Sequence, residues 1–159
     1  MIHFLDTSAL KWAYISGKHH YRCRQIIGRL KGEVFIAEIS ILEIVSALGS
    51  CVRDGRISIA EYEHADGRFF EDLADDRLLV RAFAGRNYFH CRQLLTLVGI
   101  HERRALKTQD CMIAYTAREL AIEKKKPVKL LTSDKRLASA ISAASIFAGI
   151  VISEFLSPT

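Results

Sequence analysis

The sequence predicts an α/β fold in which a mainly parallel β-sheet carries helices on both faces. Short apolar runs of strand length alternate with longer stretches whose apolar residues recur at helical spacing. Pro and Gly are scarce, with two and nine residues among 159, so no long linker interrupts this alternation. The length fits a single domain over residues 1–159.

The predicted strands are short apolar segments that end at polar residues or turns. The first runs from Ile2 to Leu5 and stops at Asp6. A later one follows Pro127, which cannot continue the helix before it. The full set of predicted strands is 2–5, 34–37, 78–83, 128–132 and 149–152.

The predicted helices carry apolar stripes at helical spacing and begin at capping residues. Ile41, Ile44, Val45 and Leu48 form one such stripe. In an acidic helix over 58–75 we expect five buried side chains: Ile59, Tyr62, Phe69, Phe70 and Leu73. The remaining helices are predicted from about residue 9, and over 21–30, 87–98, 106–123 and 135–144.

The sequence shows neither a secretion signal nor a convincing membrane span. Asp6 interrupts the first apolar run, and no basic residue precedes it. The uncharged stretch 137–153 contains four serines and is better explained as a helix followed by a buried strand. Without C-x-x-C spacing, Cys23, Cys51, Cys91 and Cys111 are predicted to be reduced thiols. We therefore expect a cytoplasmic protein with no membrane partner.

The net charge of +5 is distributed unevenly. Residues 61–76 hold seven acids against Arg68 alone, a balance of −6, so the rest of the chain carries +11. A cationic surface beside an acidic flank suits a polyanion such as nucleic acid. Solvated helix faces explain the same composition, and composition does not separate the two interpretations.

Four acids stand out by position. In parallel sheets ligands bind beyond the carboxyl ends of the strands. Asp6 ends the first strand and Asp134 follows the strand at 128–132, so the topology places both at one sheet edge. Glu43 lies beside an apolar stripe, and Asp110 shares a helix face with Ala114 and Ala117. Taken singly, Asp110 and Asp134 are better explained as helix caps.

Taken together, the four acids predict a metal site. Grouping buried carboxylates is costly unless a cation neutralises them. Hard oxygen ligands suit Mg²⁺ or Mn²⁺, and such sites serve phosphoryl chemistry by activating water and offsetting charge on the phosphate.

The chain resembles the PIN-domain family, and most closely its VapC-type toxins. The resemblance rests on four segments in matching order and spacing: residues 4–10 (FLDTSAL), 41–48 (ILEIVSAL), 110–117 (DCMIAYTA) and 131–137 (LTSDKRL). It implies a three-layer α/β/α sandwich and an Mg²⁺- or Mn²⁺-dependent endoribonuclease. Such toxins are typically homodimers silenced by a small antitoxin protein.

The resemblance also implies roles for individual residues. Asp6, Glu43 and Asp110 would be the core catalytic metal ligands and Asp134 a fourth acid. Supporting hydroxyls would come from Thr7, Ser8, Thr132 and Ser133. Independently, the basic residues upstream of Asp110 are candidates for RNA phosphates: Arg103, Arg104 and Lys107. Glu38, five residues before Glu43, could compete for its role.

Other functions are weighed against the ribonuclease. A non-catalytic RNA- or protein-binding PIN module would use the same fold without cleavage. A phosphorylated receiver domain needs an acidic pair after the first strand, and Asp6 stands alone. A haloacid-type phosphatase needs a second Asp at the position that Ser8 occupies. The sequence therefore argues against a receiver domain and against a haloacid-type phosphatase.

Overall fold

Within the part of the chain that the structure describes, five parallel strands form one sheet. The computed structural model describes residues 1–30, 32–101 and 106–157. The strand order is β3-β2-β1-β4-β5, and every neighbouring pair is parallel. The strands are β1 (Ile2–Leu5), β2 (Val34–Ala37), β3 (Leu79–Arg81), β4 (Val128–Thr132) and β5 (Val151–Phe155). The predicted α/β class is confirmed.

The helices cover both faces of this sheet. Helices α1 to α4 contribute to one apolar cluster and α5 to α7 to the other. Their bounds are α1 (Thr7–Tyr14), α2 (His20–Arg29), α3 (Ile39–Arg53), α4 (Ile59–Ala74), α5 (Asn87–Thr96), α6 (Thr108–Lys124) and α7 (Lys135–Ala143). A π-helical turn, Leu97–His101, extends α5, and a 3₁₀ turn, Ser145–Phe147, follows α7.

Alternation along the strands divides the core into two layers. Phe4 and Leu130 face the cluster beneath α5 to α7, whereas Leu5 and Leu131 face the cluster beneath α1 to α4. All four side chains are fully buried. Strands buried on both faces produce the continuous apolar runs seen in the sequence.

The order of the strands creates a crevice between β1 and β4. The chain moves from β1 toward β2 and β3 on one side, and β4 and β5 lie on the other side. Leu5 pairs with Leu131, and the amide of Asp6 donates to the carbonyl of Leu131 over 3.0 Å. This register brings the residues after both strands together at the carboxyl edge, where ligands bind in open α/β sheets.

Two of the five expected core residues of α4 are on the surface. Ile59 is 67% exposed and Phe70 is 50% exposed, so the prediction was wrong for both. The buried face of α4 is set by Ala65, Phe69 and Asp72 at helical spacing, and Ile59 and Phe70 lie to its side. The last strand also differs, because Gly149 adopts a left-handed turn and β5 begins two residues later than predicted.

The acidic segment 61–76 is not uniformly solvated. Asp72 is 1% exposed, forms an ion pair with Arg24 and accepts a 2.9 Å hydrogen bond from the hydroxyl of Tyr14. Such a buried charge is tolerated because its partners compensate it. One acid of the predicted flank is therefore part of the interior, and the surface charge of that flank is smaller than the sequence indicates.

Among the described residues, no helix combines the length and apolar character that crossing a bilayer requires. All four cysteines are buried free thiols. Thiols of this kind act as small apolar side chains in the core.

Gly17, in the turn between α1 and α2, is required by its contact with Trp12. A Cβ atom at this position would lie 2.3 Å from Cζ3 of Trp12.

We expect Gly17→Ala to lower the free energy of unfolding by about 1–3 kcal/mol, measured by urea denaturation. Gly67→Ala is the matched control, because Gly67 lies inside α4 with no atom within 4 Å of the added Cβ. That control should raise stability by about 0.5–1 kcal/mol through helix propensity. Equal effects of the two substitutions would contradict the packing argument.

Candidate active site

Four carboxylates from four separate segments line one cavity at the carboxyl edge of the sheet. Asp6, Glu43, Asp110 and Asp134 surround a space of about 310 Å³. They come from the ends of β1 and β4, from the second turn of α3 and from the first turn of α6. The fold thus brings together all four acids that the sequence predicted to converge.

Two hydroxyl groups donate hydrogen bonds to the carboxylate of Asp6. Its Oδ2 atom accepts from Ser8 Oγ at 2.5 Å and from Thr132 Oγ1 at 2.7 Å. Each hydroxyl oxygen in turn accepts from a backbone amide, Ser8 from Ser133 at 2.8 Å and Thr132 from Asp134 at 2.9 Å. The two loops after β1 and β4 are therefore connected through the carboxylate of Asp6.

Burial and hydrogen bonding act on Asp6 in opposite directions. Burial raises its pKa above the usual range, and the hydrogen bonds from Ser8 and Thr132 reduce this effect. Both side-chain bonds end on Oδ2, and within the described part of the chain no side chain donates to Oδ1. The backbone amides of Thr7 and Ser8 also donate hydrogen bonds that lower the pKa of Asp6.

Glu43 is oriented by Thr7 at the start of α1. Thr7 Oγ1 lies 2.6 Å from Glu43 Oε2, to which it donates, and 3.1 Å from Oγ of the fully buried Ser40. Ser40 and Glu43 are three residues apart on α3, so they lie on the same helix face. The contact connects α1 to α3 directly beside the cavity.

The surroundings of Asp110 strongly perturb its ionisation. Burial raises the pKa of Asp110 to about 6, and the negative fields of Asp6 and Asp134 add to the effect. The backbone amide of Lys107 opposes it by donating to Oδ2 over 3.2 Å. Because Lys107 precedes α6, this bond also caps the helix.

Asp134 is tied to the start of α7. Its Oδ1 accepts from the backbone amides of Arg136 at 2.8 Å and Leu137 at 3.4 Å, and the Arg136 guanidinium lies 3.2 Å from Oδ2. Burial alone would raise the pKa of Asp134, but the bonds from Arg136 hold it below its usual range. Asp134 therefore both caps α7 and lines the cavity, as its two interpretations from the sequence required.

The remaining predicted residues differ in where they lie. Lys107 lines the cavity, whereas Glu38 lies against a separate apolar cavity with Leu42 and Phe83. Among the described contacts, Ser133 takes part through its backbone amide and not through its hydroxyl. Arg103 and Arg104 lie outside the described residues.

The structure adds four residues that were not predicted from the sequence: Lys11, Ser40, Ser46 and Ala47. Lys11, Ser46 and Ala47 line the cavity, and Ser40 supports Thr7. Their spacing contained the signal. Lys11 follows Thr7 by four residues, and Ser46 and Ala47 follow Glu43 by three and four.

The chemistry of the donor set fits a hard divalent cation. All four candidate ligands are carboxylates, as Mg²⁺ and Mn²⁺ prefer. Burial, with the nearby charges of Asp6 and Asp134, raises the pKa of Asp110, and a bound cation would favour the charged form of this carboxylate. As the side chains are placed, no three His, Cys, Asp or Glu groups within residues 1–30, 32–101 and 106–157 already form a metal-binding cluster. Ion binding therefore requires side-chain adjustment by the acids around the cavity.

Comparison with known proteins identifies the family. The PIN domain profile matches residues 3–141. The chain belongs to the PIN domain family. PIN domains are generally nucleases that use divalent metal ions. No curated protein matches this PIN domain in sequence.

Two solved structures are similar to this PIN domain in fold. VapBC2 from Rickettsia felis, bound to a DNA fragment from their promoter, aligns with a TM-score of 0.63 at 18% identity, covering 98% of each chain. PAE2754 from Pyrobaculum aerophilum aligns with a TM-score of 0.59 at 18% identity, covering 95% of this chain and 83% of that one. At this identity the two structures establish the PIN-like sandwich and nothing further.

The grouped acids should destabilise the metal-free PIN domain. Above pH 6 the folded state must hold Asp110 as an anion, and this cost fades as pH falls from about 6 toward the unfolded value of 3.8. We expect Asp110→Asn to raise the free energy of unfolding by about 1–3 kcal/mol at pH 7.5 in a chelator, and to give no gain near pH 4.

Denaturant titrations at both pH values measure this difference. Glu63→Gln is the control, because it removes one exposed carboxylate from α4. Addition of Mn²⁺ should stabilise the wild type more than the Asp110→Asn variant. A gain that is the same at pH 7.5 and pH 4 would contradict the electrostatic origin.

Proposed function

We propose that this PIN domain is a metal-dependent endoribonuclease, formed by a single domain over residues 1–159 and acting in the cytoplasm. One observation carries the proposal: four carboxylates from distant segments line one cavity at the crevice between β1 and β4. Acidic clusters of this composition suit Mg²⁺ or Mn²⁺ and the hydrolysis of phosphodiesters. The excess positive charge outside residues 61–76 supports a polyanionic substrate.

In this proposal each acid has a defined support. Asp6, Glu43 and Asp110 hold the cation, and Asp134 completes the acidic ring. When bound, Mg²⁺ or Mn²⁺ supplies activation of water and offsets the charge that builds on the phosphate. Ser8 and Thr132 fix the orientation of Asp6, and Thr7 fixes Glu43. These hydroxyls keep the carboxylates turned toward the cavity, so less reorganisation is needed when substrate binds.

Substrate binding at the entrance is assigned to cationic side chains. Lys107 lines the cavity directly beside Asp110. We retain Arg103 and Arg104 as candidates for RNA phosphates because they precede Lys107 in sequence. Phosphate contacts of this kind position the strand without reading its sequence.

Glu43→Gln should lower the rate of RNA cleavage by at least about 100-fold, because it removes one charge from the proposed ligand set and keeps the side-chain size. Cleavage of a fluorescent RNA in Mg²⁺ or Mn²⁺ measures this, with a 3′-hydroxyl and a 5′-phosphate as the expected products. Asp6→Asn and Asp110→Asn should behave alike. Asp134→Asn should cost less, because both oxygens of Asp134 are already engaged by Arg136.

Glu38→Gln is the matched control, since Glu38 is an exposed acid five residues before Glu43 that faces a different cavity. Equal activity in Glu43→Gln and Glu38→Gln would refute the proposed site. If the wild type binds RNA and cuts none with either ion, the non-catalytic binding module is the correct function.

We further propose that the protein is the toxin of a type II toxin–antitoxin pair and acts as a homodimer. The fold of the Rickettsia felis VapBC2 structure supports this. A small open reading frame beside the gene should encode a protein that copurifies with this chain and suppresses its RNA cleavage. Light scattering should give twice the monomer mass for the isolated chain. Undiminished cleavage in the presence of the neighbouring product would overturn the toxin assignment and leave the nuclease assignment intact.

A further inference from the structure

Lys11 lies in the wall of the acidic cavity on helix α1. It follows Thr7 by four residues and Ser8 by three, so all three share the helix face that meets the carboxylates. Along the axis of α1 it is displaced from Thr7 by about 6 Å. The backbone of Lys11 therefore lies about one helical turn beyond Thr7, and its side chain lines the same cavity as the acids.

Among the described residues, the ammonium group of Lys11 forms no ion pair with the acids of the cavity. Within the described residues, no carboxylate lies within 4.0 Å of its ammonium nitrogen. By contrast, Arg136 is paired with Asp134 and Arg24 with Asp72. The ammonium instead lies 5.3 Å from the ring centroid of Trp12, and a cation–π contact of this kind limits where the half-buried side chain points.

An RNA strand that enters this cavity meets strong negative charge. Among the residues that the structure describes, four carboxylates and two lysines, Lys11 and Lys107, line the space. The two lysines belong to different helices, Lys11 to α1 and Lys107 to the start of α6, so positive charge flanks the acids from two directions. Positive groups at the rim lower the local repulsion that phosphates experience.

We propose that Lys11 binds the phosphate that flanks the bond cleaved at the four carboxylates, an inference that rests on the proposed ribonuclease function. The displacement of Lys11 along α1 favours a neighbouring phosphate over the one that reacts. A lysine ammonium with uncommitted donors is well suited to a single phosphate oxygen. By contacting the RNA backbone, Lys11 thus fixes the register of the RNA strand in the cavity.

A different role for Lys11 would be simple compensation of the acidic charge. In that case its loss would alter the stability of the free protein and leave the ionic component of RNA affinity unchanged. Loss of a phosphate contact has another signature. It weakens binding for all sequences and reduces the slope of log affinity against log salt by about 0.7 for single-stranded nucleic acid.

The experiment measures binding separately from cleavage. Asp110→Asn blocks hydrolysis, and fluorescence anisotropy with a short single-stranded RNA gives the Kd across a salt series. In this background, Lys11→Met should raise the Kd about 5- to 10-fold and reduce the salt slope by about 0.7. Lys11→Arg should restore both to within about 2-fold of the parent, because it keeps the charge. In the otherwise wild-type enzyme, Lys11→Met should raise KM more than it lowers kcat.

Lys126→Met is the matched control, since it removes an exposed lysine just beyond the C-terminal end of α6, whereas Asp110 lies in the first turn of that helix. If Lys11→Met and Lys126→Met have the same Kd and slope while the wild type cleaves RNA, the role of Lys11 is overturned and the ribonuclease stands. If the wild type does not cleave RNA but the slope depends on Lys11, hydrolysis is overturned and the phosphate contact stands. If the parent variant binds no RNA, both are overturned.

Discussion

The pairing of β1 with β4 is the constraint on which the site depends. The register Leu5 to Leu131 continues into the bond between the Asp6 amide and the Leu131 carbonyl. It places Asp6 beside Thr132, although 126 residues separate them. A slip of one residue would turn the buried faces of β4 over and carry the Thr132 hydroxyl away from Asp6. The apolar core therefore enforces the geometry of a polar site that it does not touch.

Helix starts perform two tasks around this crevice. Asp110 accepts the Lys107 amide at the start of α6, and Asp134 accepts two amides at the start of α7. Each carboxylate is thus oriented by backbone groups that need an acceptor in any case. Helix capping and membership of the acidic cavity were competing interpretations of these residues in the sequence. In the structure the cap is what aims the carboxylate.

The sequence predicted the fold and the grouping of the acids better than the surroundings of the acids. Strands β1, β2 and β4 match their predicted bounds because they are mainly apolar runs ended by a polar residue or a turn. Ile59 and Phe70 were misplaced because apolar character alone does not tell the edge of a helix stripe from its centre. Ser40 was missed because its contact with Thr7 joins α3 to α1, and such contacts are set by tertiary packing. Nothing in the local sequence marks Asp72 as the one buried acid among seven.

The acidic cavity is a place where stability and function oppose each other. Asp72 is a buried carboxylate outside the cavity, and its charge is compensated by an ion pair with Arg24 and a hydrogen bond from the hydroxyl of Tyr14. Asp6 and Asp110 receive hydroxyl and amide donors but no arginine or lysine ion pair among the described residues, and burial raises the pKa of both. Neutral donors orient a carboxylate without cancelling its charge. The charge that remains is what a divalent cation needs, and Lys11 and Lys107 stand at the wall rather than on the acids, where a phosphate can still reach them.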